Sequence, residues 1–412
     1  MSSIRDQIEA QRFIKNLTGT SKFIISKNSR EIGVSRQTYQ NKLKGLKDRK
    51  IITNYTININ PNIRPNNLKF IMLEIKTNPK EPNLAHELLN IPQLRMLDGI
   101  FGEYSLFALC IFKSPNEYYQ TLNAIDNIMA KSYFKKYKIV ETIKVFKTNG
   151  ISLSNLGVTF KEHAVLVELV IANKINLNQI ASNYADVEYD PEKFPGLVMR
   201  FDEPRATILI FSTGKMIVTD LKDQSEVEKV VDKVIQKISS IGVNVNKKYI
   251  DQHHEIDNID YEILNILRDG QGHKPISTYE IKNIFKEQHQ TEISQSTIHN
   301  RIKKLERIGV ILNYTVNFHP KKIGYKGKYI LRIKPKDPSK YDELALKLER
   351  NQYITDLFRI GEQYGLFAIV RVKKVEDYGK FIRDLYETED IEDTFTNFVL
   401  DELIPYTNFV IP

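Results

Sequence analysis

The chain reads as α+β, with one helix-and-sheet module occurring twice around a central curved antiparallel sheet backed by helices. Three observations predict this. Residues 34–56 repeat at 293–315, with 9 of 23 positions identical at a constant offset of 259. A second match, Gly102-Glu103-Tyr104-Ser105-Leu106-Phe107-Ala108 against Gly361-Glu362-Gln363-Tyr364-Gly365-Leu366-Phe367-Ala368, follows in the same order with one inserted residue. Two spaced matches in one order mean that a whole module is duplicated. Third, the segment between the copies alternates apolar and polar residues in short runs and closes on a strongly amphipathic helix.

At 412 residues with 27% charged and 41% hydrophobic residues, the chain has the composition of an ordinary globular protein of several domains. No apolar run is long enough to span a membrane, and the N-terminus lacks an apolar leader. One cysteine, Cys110, permits no internal disulfide and fits a reducing cytosol. The net charge of +9 is uneven. Residues 1–150 hold 24 Lys/Arg against 12 Asp/Glu, 151–250 hold 12 against 13, and 277–334 hold 12 against 4. Clusters of this kind point to a polyanion, although a solvated lysine-rich surface would read alike.

In the first module, helices are expected at 4–17 and 20–32, the second ending at Gly33, a residue suited to the left-handed cap. Ser35 is placed to cap a third helix, in which Tyr39, Leu43 and Leu46 share one face. Arg36, Gln37, Gln40, Lys44 and Lys47 lie mostly on the others. Two helices, a tight turn and a polar-basic third helix form a helix-turn-helix, whose outward side chains meet base edges and phosphates in the major groove. A structural three-helix bundle with a solvated face is the alternative. The run 54–58 reads as a wing strand, followed by a Pro/Asn linker. Strand 68–76, helix 82–90, strands 94–101 and 105–113, helix 115–129 and strand 136–146 then give βαββαβ, a ferredoxin-like sandwich.

The central segment predicts an apolar strand at 165–172, a short helix at 176–182 and a short strand at 187–190. Strands 196–201, 207–212 and 215–219 follow, then a helix near 224–241 with a stripe of Val and Ile. Residues 244–256 read as a linker, with His253-His254 lacking further ligands at metal-site spacing. The second module repeats the first: helix 257–268, a Ser277/Glu280 capping box for helix 277–287, and Ser294 capping a recognition helix. Its outward residues include Gln295, Ser296, His299, Asn300 and Lys303. A wing at 311–318 and a second βαββαβ sandwich complete it.

On Gly33-Val34-Ser35 with Thr38, the Ile51-Ile52…Tyr55-Thr56 exit and the Gly102-Glu103-Tyr104 turn, the modules resemble the Lrp/AsnC family of transcription regulators. The resemblance implies winged-helix DNA binding, pairing through the ferredoxin-like sheets, and often an amino acid at the interface. Ser105 and Gly365 stand where the family usually has Asp. The run Tyr189-Asp190-Pro191-Glu192-Lys193-Phe194-Pro195-Gly196-Leu197-Val198, with Arg200, Pro204-Arg205 and Ile210-Phe211-Ser212-Thr213-Gly214-Lys215, resembles one repeat of the TATA-box-binding protein. That likeness implies a half-saddle on the minor groove with Phe194 and Phe211 as wedges. It further implies phosphate contacts by Arg200, Arg205 and Lys215, a base-edge contact by Thr219, and a transcription factor B contact by Asp190 and Glu192. Leu169 occupies the place of a groove-reading Asn, and Asp220 replaces a glycine. Phe194 and Phe211 as core or interface aromatics of a domain that no longer binds DNA is the competing reading.

The expected organisation is therefore a winged helix-turn-helix at 1–60, a ferredoxin-like domain at 66–150, a single TATA-box-binding-protein-like repeat at 162–243, a second winged helix-turn-helix at 255–320 and a second ferredoxin-like domain at 326–405. No metalloprotease, P-loop or Ser-His-Asp pattern is present, so the expectation is a binder rather than an enzyme, with no cofactor and no metal. The expected partner is double-stranded DNA, with transcription factor B or RNA polymerase machinery at the central repeat. The two sandwiches are expected to pair within the chain as a pseudo-dimer, with homodimerisation through the central repeats as a further arrangement. Adaptor and amino-acid-responsive regulator are the alternative functions, and the cytoplasm, on the nucleoid, is the expected location.

Overall fold

A computed structural model describes residues 4–19, 23–61, 69–78, 80–112, 115–154, 165–171, 174–191, 196–219, 226–251, 256–288, 291–404 and 407–412. The chain divides into two compact units, Met1–Gly157 with Asp257–Pro412, and Val158–Ile256.

The first module opens with α1 (Ile4–Thr18), α2 (Ile25–Ile32) and α3 (Arg36–Asp48). Gly33 ends α2 at φ 74°, its N–H donating to Arg30, and the side chain of Ser35 accepts from the N–H of Thr38 to start α3. Strand β1 (Ile52–Ile59) leads to β2 (Lys69–Ile75), α4 (Pro82–Leu88), β3 (Leu94–Phe101), β4 (Leu106–Phe112), α5 (Pro115–Ala130), β5 (Tyr137–Thr148) and β6 (Ile151–Ser152). The central segment supplies β7 (Val165–Ile171), α6 (Leu177–Asn183), β8 (Val187–Glu188), β9 (Leu197–Asp202), β10 (Arg205–Ile210), β11 (Lys215–Thr219), α7 (Val227–Ser239) and β12 (Val245–Asp251). The second module follows with α8 (Asn258–Asp269), α9 (Thr278–Gln288), α10 (Gln295–Arg307), β13 (Ile311–Phe318), β14 (Gly327–Pro335), α11 (Tyr341–Leu348), β15 (Ile354–Ile360), β16 (Leu366–Val372), α12 (Val375–Thr388) and β17 (Ile391–Ile404).

Two sequence expectations are corrected. The runs after α3 and α10 do not form wings on their own heads. Instead β1 and β13 pair with each other, antiparallel, across the modules. The register sets Thr56 opposite Thr315, residues that are equivalent in the repeat, so a local two-fold axis passes between them. The stretch expected as a linker at 244–256 contains β12, which adds to the edge of the central sheet beside β7.

In the larger unit, the strands run β15-β16-β14-β17-β3-β4-β2-β5, and β5 pairs back onto β15. The two βαββαβ sheets therefore close into one eight-stranded antiparallel barrel among the described residues. The two seams, β17–β3 and β5–β15, are equivalent to each other, each joining the last strand of one copy to the second sandwich strand of the other. Phe107 and Phe367, equivalent in the repeat, stack inside at 5.2 Å. Side chains from all eight strands, among them Met72, Met96, Phe107, Val140, Ile330, Phe358, Phe367 and Val399, form one interior core. Helices α4 and α5 cover one half outside, packing on Leu73, Leu97, Ala108 and Cys110. Helices α11 and α12 cover the other, on Leu331, Leu357 and Ala368. Burial pushes the Cys110 thiol up to about 12, so it is an inert core residue.

Closure carries buried charge across a seam. Lys328 on β14 reaches Asp98 on β3 at 2.6 Å and Glu402 on β17 at 3.4 Å, and Arg371 meets Glu402 at 2.6 Å. The C-terminal segment returns to the first head, where Phe409 and Ile411 join the core formed with Phe13, Tyr39 and Tyr55.

The central unit is a six-stranded sheet ordered β12-β7-β11-β10-β9-β8 among the described residues. One face is sealed by α6 and α7. Val227, Val230, Val231, Val234 and Ile238 recur at helical spacing and are fully buried against Met199, Ile208, Met216 and Val218. Each such side chain contributes roughly 1.5–3 kcal/mol by leaving water.

Candidate nucleic-acid interface

On α3 the inward face is Tyr39, Leu43 and Leu46, all buried. Arg36, Gln37, Gln40 and Lys44 stand exposed on the outward side. Residues 36, 40 and 44 follow i, i+4 spacing, so they form one stripe along the helix. Neither Arg36 nor Lys44 has an ion-pair partner among the described residues. Lys47 is different: its Nζ donates to the carbonyl of His273 at 2.5 Å and sits 5.0 Å from the centre of the Tyr55 ring. Burial holds its ammonium below the ordinary lysine value. Lys47 thus ties α3 to a loop of the second module.

On α10 the inward face is Ile298, Ile302 and Leu305. Gln295, Ser296, His299, Asn300 and Lys303 are exposed. Several are engaged. Gln295 donates to Thr278 at 2.9 Å, Ser296 shares a hydrogen bond with Ser294 at 2.8 Å, and Lys303 pairs with Glu306 at 2.9 Å. Arg301 and Lys304 turn inward to the fully buried carboxylate of Asp260, at 2.9 and 3.1 Å. Helix α10 therefore commits more of its cations to neighbouring groups than α3 does. Ser294 caps α10 through the N–H of Thr297, as Ser35 caps α3.

In the central unit the uncovered sheet face has a graded pattern. The register sets Leu209 between Val198 and Ile217, and Thr207 between Arg200 and Thr219. An aliphatic row therefore lies beside a polar row across three strands, with both rows half-exposed apart from the exposed Arg200. Arg205 and Lys215 are exposed at the starts of β10 and β11. Arg200 is paired with Glu188 at 2.7 Å, and Thr219 donates to the carbonyl of Thr207 at 3.3 Å. Phe211 is half-buried at the turn, where its N–H donates to Lys215 and its carbonyl accepts from Gly214. Gly214 has φ +84°, and a Cβ there would lie 2.7 Å from the carbonyl oxygen of Leu169. Asp190 is described and exposed; Glu192 and Phe194 lie outside the described residues.

One positional expectation is overturned. Leu169 does not stand on the open face, because its side chain is buried under the helices with Val167. Strand alternation puts the neighbouring Val170 on the other side, where it is exposed. Val198, Thr207, Leu209 and Ile217 escaped the sequence reading as surface-forming residues. Their i, i+2 alternation on three successive strands was the available signal.

Among the described residues no group of His, Cys, Asp and Glu is arranged to hold a metal ion, and no helix is long and apolar enough to cross a membrane.

Residues 160–241 match the family model for transcription factor TFIID, or TATA-binding protein, and residues 329–409 match that for the Lrp/AsnC ligand binding domain. The TATA-box-binding protein of Aeropyrum pernix is 36% identical over 84 residues, covering 20% of this chain and 41% of that protein. That of Thermoplasma volcanium is 34% identical over 112 residues, covering 26% and 60%. The chain thus spans about half the length of the curated relatives it matches. Among solved structures, E. coli AsnC is 24% identical, covering 37% of this chain and 98% of that one at a TM-score of 0.32. The siroheme decarboxylase NirDL is 8% identical, covering 98% of this chain and 93% of that one at a TM-score of 0.45. The expectation that the chain is not an enzyme is overturned by this last match. The match is too distant to transfer the activity itself.

Proposed function

We propose that the chain is a transcription regulator that binds duplex DNA through two unlike helix-turn-helix heads, with the open sheet of the central repeat as a further contact. The observation that carries this reading is the outward stripe Arg36, Gln37, Gln40 and Lys44. It combines two cations with no ion pair among the described residues and two amides able to bond base edges, on a helix whose other face is packed. The β1–β13 pair and the barrel hold both heads in one unit, so one chain supplies what a two-fold dimer would. The outward sets differ between α3 and α10, so the preferred site has two unlike halves.

Selection from random duplexes tests this. Wild type recovers two unlike half-sites, and Arg36→Ala with Gln40→Ala loses information at one half alone, at about 1–3 kcal/mol per lost contact. Loss at both halves, or at neither, overturns the reading.

For the central repeat, the aliphatic row Val198-Leu209-Ile217 with Arg205 and Lys215 at its margin suits a minor groove, where apolar contact and cations act together. The Arg200–Glu188 pair favours a second reading. It neutralises one cation of that surface, and a protein contact by Asp190 and Glu192 with transcription factor B or polymerase then takes precedence. An amino-acid response at the second Gly-Glu turn is disfavoured. Arg359 lies 3.7 Å from the centre of the Tyr341 ring and fills the space into which a side chain at Gly365 would project.

A further inference from the structure

The larger unit contains a cavity of about 190 Å³ where three of its parts meet. Strand β1 descends from the first recognition helix and contributes Thr56 and Asn58. Helix α8 of the second head ends there in Arg268 and Asp269. The barrel supplies Arg95 on β3, and the C-terminal segment supplies Asn408. The apolar wall is Phe70, Leu94 and Ile111.

The two arginines of the polar wall share one carboxylate, that of Asp269. Arg268 holds Asp269 at 2.8 Å and Asn265 at 3.1 Å. Arg95 reaches the same carboxylate only at 3.4 Å, while its buried Nε–H has no hydrogen-bond partner among the described residues. Glu117 is the other carboxylate acting on Arg95, and it accepts from Gln93 at 3.0 Å. Burial and the neighbouring Arg268 both hold the Arg95 guanidinium below its ordinary value. The amides are already turned on one another, Asn408 donating to Asn58 at 2.6 Å and Asn58 to Asn313 at 2.9 Å. A half-buried guanidinium whose Nε–H has no partner among the described residues, beside a second cation and an apolar wall, suits a planar oxyanion carrying a short hydrocarbon body.

We propose that this cavity is a binding site for a small aliphatic carboxylate, held by a fork on Arg95 with its carbon chain on Phe70, Leu94 and Ile111. The volume is below the range of roughly 300–1,000 Å³ that suits drug-sized ligands, which limits the guest to about two to five carbons. Bound there, it touches β1, α8 and β3 at once. It therefore links both heads to the barrel and stabilises the unit in proportion to its occupancy.

The test uses the full chain without DNA, so its outcome is independent of nucleic-acid binding. Acetate, butyrate, malonate and succinate are titrated calorimetrically, with chloride and inorganic phosphate at matched ionic strength. One carboxylate binds saturably at one site per chain. Arg95→Gln weakens it at least tenfold, and Arg95→Lys, which keeps the charge but loses the fork, does so as well. Circular dichroism verifies that each variant is folded, and Arg95→Lys decides the matter if Arg95→Gln is not. The proposal is overturned by no saturable carboxylate binding up to about 10 mM (an affinity worth under about 3 kcal/mol), by phosphate binding as tightly as the best carboxylate, or by affinity unchanged in Arg95→Lys.

Discussion

Removing the lysine of the buried pair at the barrel seam tests whether the two halves are held together by charge inside one chain. Lys328 is 4% exposed and Asp98 is fully buried, with 2.6 Å between Nζ and the carboxylate. Lys328→Met leaves Asp98 buried without a cation at contact distance. The remaining cation, Arg371, is engaged by Glu402 at 2.6 Å. Orphaning one partner of a buried pair costs about 3–5 kcal/mol, whereas replacing both partners by apolar groups is often neutral or better. The double variant Lys328→Met/Asp98→Leu is therefore expected within about 1 kcal/mol of wild type. Burial already raises the Asp98 carboxyl, despite Lys328. The loss in Lys328→Met is accordingly largest at neutral pH and shrinks as acid protonates Asp98. The chain has no tryptophan and 21 tyrosines, so urea unfolding is followed by far-UV circular dichroism and tyrosine fluorescence. A cost below about 1 kcal/mol for Lys328→Met, or a double variant no more stable than the single, refutes the reasoning.

Two further outcomes follow from the same structure. Burial pushes the Glu402 carboxyl up, but Arg371 and Lys328 outweigh it and hold the group at about 2. Its folded value lies below its unfolded one, so its stabilisation is complete above about pH 4.5 and is lost as pH falls toward 2. The loss is roughly 3 kcal/mol, and Glu402→Gln flattens the acid limb of stability against pH. Gly214→Ala places a Cβ against the Leu169 carbonyl at a positive φ, and lowers the stability of the central unit by about 1–3 kcal/mol in thermal unfolding. An unchanged melting profile contradicts that.

Much of the architecture is legible in the chain because local signals agree with the packed result. Gly33, Ser35 and Ser294 mark the recognition helices through caps that the structure forms. The Val/Ile stripe of α7 marks its buried face. Pairing between distant segments is not legible. The residues of β1 alternate whether they form a wing or pair with β13, and periodicity does not name the partner strand. Strand β12 is polar, with Lys247 and Lys248, and reads as a linker because an edge strand need not be apolar. At the candidate interface, residue types were readable but their commitments were not. Lys47, Lys303 and Arg200 read as cations for DNA, yet each has a partner supplied by a distant turn or a neighbouring acid. Leu169 reads onto the open face but lies on the covered one, since one residue of register moves every side chain to the other side of a sheet.

If the α3 stripe engages DNA, the salt dependence of binding reports it. Fluorescence anisotropy of a labelled duplex against salt concentration gives a linear relation of log affinity to log salt. Arg36 and Lys44 carry no ion pair among the described residues, so each is expected to displace a counterion. Arg36→Ala/Lys44→Ala should make the slope shallower by about 1.8, from two contacts at about 0.9 each, with the fold unchanged by circular dichroism. A slope identical to that of wild type, or no salt-dependent binding to duplex DNA in either protein, contradicts the account.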